Sequence, residues 1–165
     1  MHSDNHIVRR FIENAGNLSQ SFGMGRAVGQ VYAYLYFSPG AKTLDDITEG
    51  LGISKGSASM TVRQLEQWGA VQRLWMKGDR KDYYQAQDWF GRIIRNAVVD
   101  NVGKKMESHT RLLEEAEELL AKSRGHNGGN GVDEAFLRER VARLRAFHKK
   151  IDGLWNNPLV QMLLK

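Results

Sequence analysis

The chain has 165 residues, room for one ordinary domain or a small domain with oligomerising arms, and too few for two enzyme lobes. Apolar residues make up 41% and charged residues 26%, which excludes wholesale disorder, a collagen-like repeat and a membrane-embedded chain. The absence of cysteine removes disulfides, thiolate metal sites and thiol redox sensing, while 24 basic against 19 acidic residues, net +5, incline the chain toward polyanions.

The first thirty residues hold no apolar run of the kind a secretory signal needs, and no stretch reaches transmembrane length; the expected location is the cytoplasm. Ile7, Val8, Phe11, Ile12, Ala15, Leu18 and Phe22 recur at three- and four-residue spacing, predicting an amphipathic helix with one buried stripe. Val28, Val31, Tyr32, Leu35 and Tyr36 continue a second helix from about 25 to 37, ended by Ser38-Pro39-Gly40. Thr43 with Asp46 three residues on makes a capping-box start for a third, whose inner face is Leu44, Ile47 and Leu51. Gly52 stops it, Ser54 caps a fourth running to about Trp68, and Gly69 stops that one.

Residues 70–76 and 82–87 alternate apolar, aromatic and polar residues around Lys77-Gly78-Asp79-Arg80-Lys81, the pattern of a β-hairpin with a basic tip. From 88 to about 122 the period is helical again. Val98, Val102, Met106, His109, Leu113, Ala116 and Leu120 step by four and three, as on a helix packed against a partner helix. A glycine-rich connection, 124–131, precedes a last long helix carrying Leu137, Val141, Leu144, His148, Ile151 and Trp155, which Asn156-Asn157-Pro158 breaks before a short apolar tail.

The expected architecture is therefore mainly α with a small β-hairpin wing: a winged helix-turn-helix with helical dimerisation arms. Residues 1–42 supply N-terminal scaffold helices, 43–87 the DNA-binding domain, and 88–165 the dimerisation helices. With Ala58, Val62, Leu65 and Gly69 turned inward, the opposite face of the fourth helix carries Gly56, Met60, Arg63 and Gln67, flanked by Ser59 and Gln64, and no acid. Lys55, Gly56, Ser57 and Ser59 lie in its first turns, where small side chains and free amides suit close approach to phosphate. Arg63 suits guanine, Gln64 adenine, and Met60 a thymine methyl. Arg73, Lys77, Arg80 and Lys81 against a lone Asp79 make residues 73–81 cationic, placed to meet phosphate or a minor groove. The whole segment 43–87 is nevertheless neutral, because Asp45, Asp46 and Glu49 crowd the third helix.

On these residues the stretch from Leu44 to Tyr84 resembles the MarR superfamily of winged-helix transcription regulators: Ser54 to Ser59, Leu65-Glu66, Gly69-Ala70-Val71, Arg73 and Gly78-Asp79-Arg80-Lys81. Phe22-Gly23-Met24-Gly25-Arg26 and Lys77 to Tyr84 resemble its GbsR-type branch, the likeness covering roughly residues 7 to 120. The resemblance implies a homodimer with interlocking terminal helices, recognition helices in successive major grooves of double-stranded DNA, and a wing arginine near the minor groove. Many members carry Asp-Xaa-Arg there; Asp79-Arg80-Lys81 leaves open whether Arg80 or Lys81 takes that place. It also implies a response to a small solute such as choline, for which Tyr32, Tyr36 and Trp89 offer an aromatic cage, although aromatics at helical spacing more often form an ordinary core where the second helix meets the dimer helices.

Other chemistry finds less support. Gly23-Met24-Gly25 with Gly29 looks like a dinucleotide loop but joins two helices, so close helix packing or a bend is the expected use. His2, His6, His109, His126 and His148 lack metal-ligand spacing, and no metal, cofactor or nucleophile-base pair is expected. A protein-interaction adaptor with an incidental basic wing remains the alternative from another class.

Overall fold

A computed structural model describes residues 2–122, 134–155 and 157–163. Two compact units, Met1–Ala97 and Val98–Lys165, divide within one long helix. The first unit runs α1 (His2–Ser21), α2 (Arg26–Tyr36), β1 (Lys42–Thr43), α3 (Leu44–Leu51), α4 (Lys55–Gln67), β2 (Val71–Trp75), β3 (Asp82–Ala86) and the start of α5 (Phe90–Lys122). The remainder of α5, with α6 (Glu134–Trp155) and α7 (Pro158–Leu163), forms the second. The winged helix-turn-helix order is present as expected, and no helix among the described residues is long and apolar enough to cross a membrane.

Val31, Leu35, Ile47, Val62 and Leu65 are the largest fully buried side chains, joined by Ala58, Trp68, Tyr84, Ile93 and Ala97. Residues from 1–42 and 43–87 thus share one core. The hairpin is wider than expected: β1 adds to β3, giving an antiparallel sheet of order β1-β3-β2, with Thr43 opposite Tyr83 and Arg73 opposite Tyr84. Two residues have no readable period, so β1 leaves no sequence signal.

The expected buried stripe of α1 divides. Gly16 and Ser19 are buried, but Ile7, Phe11, Leu18 and Phe22 stay exposed. The cause is how α1 meets α2. A Cβ at Gly29 would lie 1.9 Å from the Ala15 carbonyl oxygen, so only glycine admits this approach. The Ser19 hydroxyl accepts from the Gly29 amide (3.1 Å) and donates to the Gly25 carbonyl (2.7 Å). Gly23 and Gly25, at φ 73° and 88°, turn the chain between the helices. The glycine cluster therefore serves helix packing and a bend.

In the second unit Arg145 pairs with Glu117, and the Arg138 guanidinium donates to the Leu120 carbonyl, tying α6 to α5. Leu113, Ala116 and Leu120 are half-buried, whereas His109, Leu137 and Leu144 are exposed within the single chain. The expected helix break at 156–158 falls between α6 and α7, Pro158 occupying the first helical position, where its missing N–H is harmless. The glycine-rich stretch 124–131 lies outside the described residues.

Candidate nucleic-acid interface

Thr43 and Asp46 build the expected capping box. The Thr43 amide donates to Asp46 Oδ2 (2.8 Å) and the Asp46 amide to Thr43 Oγ1 (3.2 Å). The Thr43 amide and, after it, the Thr43 hydroxyl, which donates to the same oxygen (2.8 Å), hold the Asp46 carboxyl below the usual carboxylate range. Gly52, left-handed at φ 65°, ends α3 with its amide on the Thr48 carbonyl (2.9 Å). Ser54 Oγ then accepts from the Ser57 amide (3.2 Å) to open α4. The far end closes as a Schellman motif: the Ala70 amide bonds the Leu65 carbonyl (2.8 Å), the Gly69 amide the Glu66 carbonyl (3.0 Å), and Gly69 has φ 69°.

Between these stops Ala58, Thr61, Val62 and Leu65 face inward, and Trp68 completes that face in place of the exposed Gly69. Lys55, Gly56, Met60 and Arg63 are exposed, with Ser57, Ser59 and Gln64 half-buried beside them. Met60 is 74% exposed, and Arg63 makes no hydrogen bond or ion pair with the described residues. The acid-free face is thus presented as the sequence implied.

The wing turns through Gly78 (φ 90°), with the Asp79 amide on the Met76 carbonyl (3.1 Å), as a type II turn requires. Asp79 fixes the tip by accepting from the Lys81 amide (3.0 Å) and the Tyr83 hydroxyl (2.7 Å), bonds that depress its pKa, the tyrosine's contribution being the larger. Lys77 and Arg80 are exposed and unpaired among the described residues, whereas Lys81 is held by Asp45 (3.4 Å). Asp45 also takes Lys55, from the first turn of α4, at 3.1 Å. Both lysines, Lys55 foremost, lower its pKa. An acid that the sequence sets apart on α3 is therefore the joint between helix and wing. Arg73 is engaged as well: its guanidinium forks onto Glu66 (3.1 Å to each oxygen), reaches Asp82 (3.4 Å) and lies 5.7 Å from the Tyr84 ring centroid.

Of the aromatic trio, Tyr32 and Tyr36 stack at 6.1 Å between centroids. The ring that meets both is Phe90, at 6.5 and 5.4 Å, while Trp89 carries the Arg92 guanidinium at 5.3 Å. The Tyr32 hydroxyl donates to the Gln87 carbonyl (2.6 Å), and burial, with Tyr36 and Asp88 nearby, pushes its pKa up to about 12. A raised tyrosine pKa leaves its stabilisation intact below pH 10 and removes it as pH rises toward 12. Tyr32→Phe is expected to lower stability by about 1 kcal/mol at pH 7 and to shallow the loss between pH 10 and 12, read from urea midpoints. Tyr34 and Tyr84, raised by burial, leave a residual slope of the same sign. No three His, Asp or Glu side chains gather in metal-binding proximity among the described residues.

No family model matches the chain. Over 94 residues it is 31% identical to the HTH-type transcriptional repressor OpcR of Bacillus subtilis (strain 168), covering 56% of this chain and 49% of OpcR. Against the HTH-type transcriptional repressor GbsR of the same organism it is 27% identical over 111 residues, 67% of this chain and 61% of GbsR. The chain thus spans about half the length of the first relatives it matches. A crystal structure of a transcriptional regulator superposes with TM-score 0.59 at 21% identity, covering 95% of both chains, and supports the fold.

Proposed function

We propose that this MarR-type winged-helix chain is a transcriptional regulator that binds double-stranded DNA. What carries the reading is the pairing, in one unit, of a Ser54-capped, acid-free helix face with a wing whose Lys77 and Arg80 side chains have no internal partner among the described residues. The relatives OpcR and GbsR are named repressors, which favours repression. The working form is a homodimer. A lone chain leaves Ile7, Phe11, Leu18 and Phe22 of α1 exposed, along with Leu112 and Leu119 of α5 and Phe136, Leu144 and Phe147 of α6, large apolar side chains that a partner's helices would cover. A two-fold pair reads a pseudo-palindrome with half-sites about 10 base pairs apart.

Selection of bound fragments from random duplex tests this directly, with sedimentation of the free protein alongside. A recovered inverted repeat and a dimeric species are expected. Equal binding to selected and random duplex, or retention of a protein partner with no duplex at all, overturns it in favour of a chromosome-coating or adaptor role. A choline-type effector acts here by population shift, binding better to one spacing of the recognition helices. Tyr32, Tyr36 and Phe90 supply the aromatic surface for a quaternary ammonium. Choline that leaves operator affinity unmoved removes that part alone.

Asp45 restrains two of the cations assigned to DNA. Asp45→Asn is therefore expected to tighten binding several-fold and steepen its salt dependence, since a phosphate no longer competes with a carboxylate for Lys55 and Lys81. Binding isotherms at two salt concentrations check it.

A further inference from the structure

The wing holds an apolar feature that its cations leave unexplained. Trp75, the last residue of β2, is 86% exposed, and Met76 beside it is also exposed. The Trp75 indole makes no hydrogen bond or ring contact with the described residues. Strand alternation places Trp75 on the same face of β2 as Arg73 and Val71, opposite Asp82 on β3. Lys77 follows two residues later, and Arg80 and Lys81 complete the tip.

An indole so placed gains nothing from folding, and a protein partner would call for a broad apolar patch with few charges at its centre. Here the apolar area is two side chains wide, with Asp82 across from it already paired to Arg73 and the exposed Lys77 and Arg80 following along the tip. A duplex groove has the matching pattern, with phosphates along its rims and apolar sugar along its walls, and aromatic or apolar wedges commonly accompany Lys and Arg there. We propose that Trp75 is a DNA-contacting residue, packing its indole against the sugar wall of the minor groove while Lys77 and Arg80 meet the phosphates. This rests on the DNA-binding reading above and adds a component insensitive to salt.

The duplex recovered by selection is titrated with the wild-type chain, Trp75→Ala and Trp75→Phe, at two salt concentrations, following affinity and tryptophan fluorescence. Trp75→Ala is expected to bind about tenfold more weakly, the loss of roughly 1.4 kcal/mol that follows when a large apolar side chain is no longer buried, with an unchanged salt slope because the net charge stays the same. Trp75→Phe stays within about threefold of wild type and loses most of the fluorescence change on binding. An unaltered thermal transition in Trp75→Ala separates this from unfolding. Wild-type affinity in Trp75→Ala overturns the assignment alone, whereas a wild-type chain that binds no duplex overturns the DNA reading beneath it. A Trp75→Ala chain that sediments as a monomer overturns the assignment in favour of a contact between subunits.

Discussion

Changing Lys77, Arg80 and Lys81 together to alanine is expected to reduce duplex affinity by at least about 100-fold at moderate salt and to do so for every sequence alike. Removing one phosphate-neutralising cation lowers the slope of log K against log salt by about 0.9, so the slope falls by up to about 2.7 per chain. Lys77 and Arg80 contribute more than Lys81, because they are unpaired among the described residues while Lys81 must first leave Asp45. Arg63→Ala differs in kind. On the proposed DNA-binding reading it removes a fork that would meet a base, and is expected to cost about 1–3 kcal/mol at the preferred base and to relax sequence preference there. Fluorescence anisotropy on the selected and a scrambled duplex distinguishes the two. The fold should survive both, since all four side chains are exposed.

Gly29→Ala should produce the largest change in stability. Alanine ordinarily favours a helix interior over glycine by roughly 1 kcal/mol, but here the added methyl would sit 1.9 Å from the Ala15 carbonyl oxygen and 2.8 Å from Ser19 Oγ. Backbone rather than a flexible side chain is in the way, so α1 must move off α2 and the Ser19 bonds to Gly29 and Gly25 break with it. A net loss of about 3 kcal/mol is expected, at the upper end for overpacking, read as a shift of the urea midpoint. Gly56→Ala is the contrasting case. Nothing lies within 4 Å of its Cβ position, so stability should rise by a few tenths up to about 1 kcal/mol, while the methyl on the exposed first turn of α4 weakens duplex binding.

The helix pair was legible because its signals are local. Thr43 with Asp46, Gly52, Ser54 and Gly69 mark starts and stops within a few residues of chain, and each appears in the structure with the bonds such residues make. What the sequence hides is which groups meet across distance. Asp45 lies 36 residues from Lys81, and nothing in a neutral segment reveals that this acid joins helix to wing. Arg73 reads as one more cation until the Schellman turn at Gly69 brings it onto Glu66. Periodicity identified the apolar side of α1 but not its cover, because the small residues Ala15, Gly16 and Ser19 make the close contact and leave the large ones outside. In the aromatic cluster the expected Trp89 gives way to its neighbour: Phe90 reaches the tyrosines, and Trp89 turns to Arg92. Trp75 had no such signal, since strand alternation puts it on the face of the buried Val71, and its exposure at the end of β2 emerges only in the structure.

The carboxylate shared by Lys55 and Lys81 has a kinetic consequence. It is a tethered counter-ion that no dilution removes, so part of the charge on this surface stays neutralised even where mobile ions are scarce. If the chain binds DNA as proposed, such a tether would loosen its grip on random duplex at low ionic strength and shorten its dwell at each wrong site during sliding and hopping.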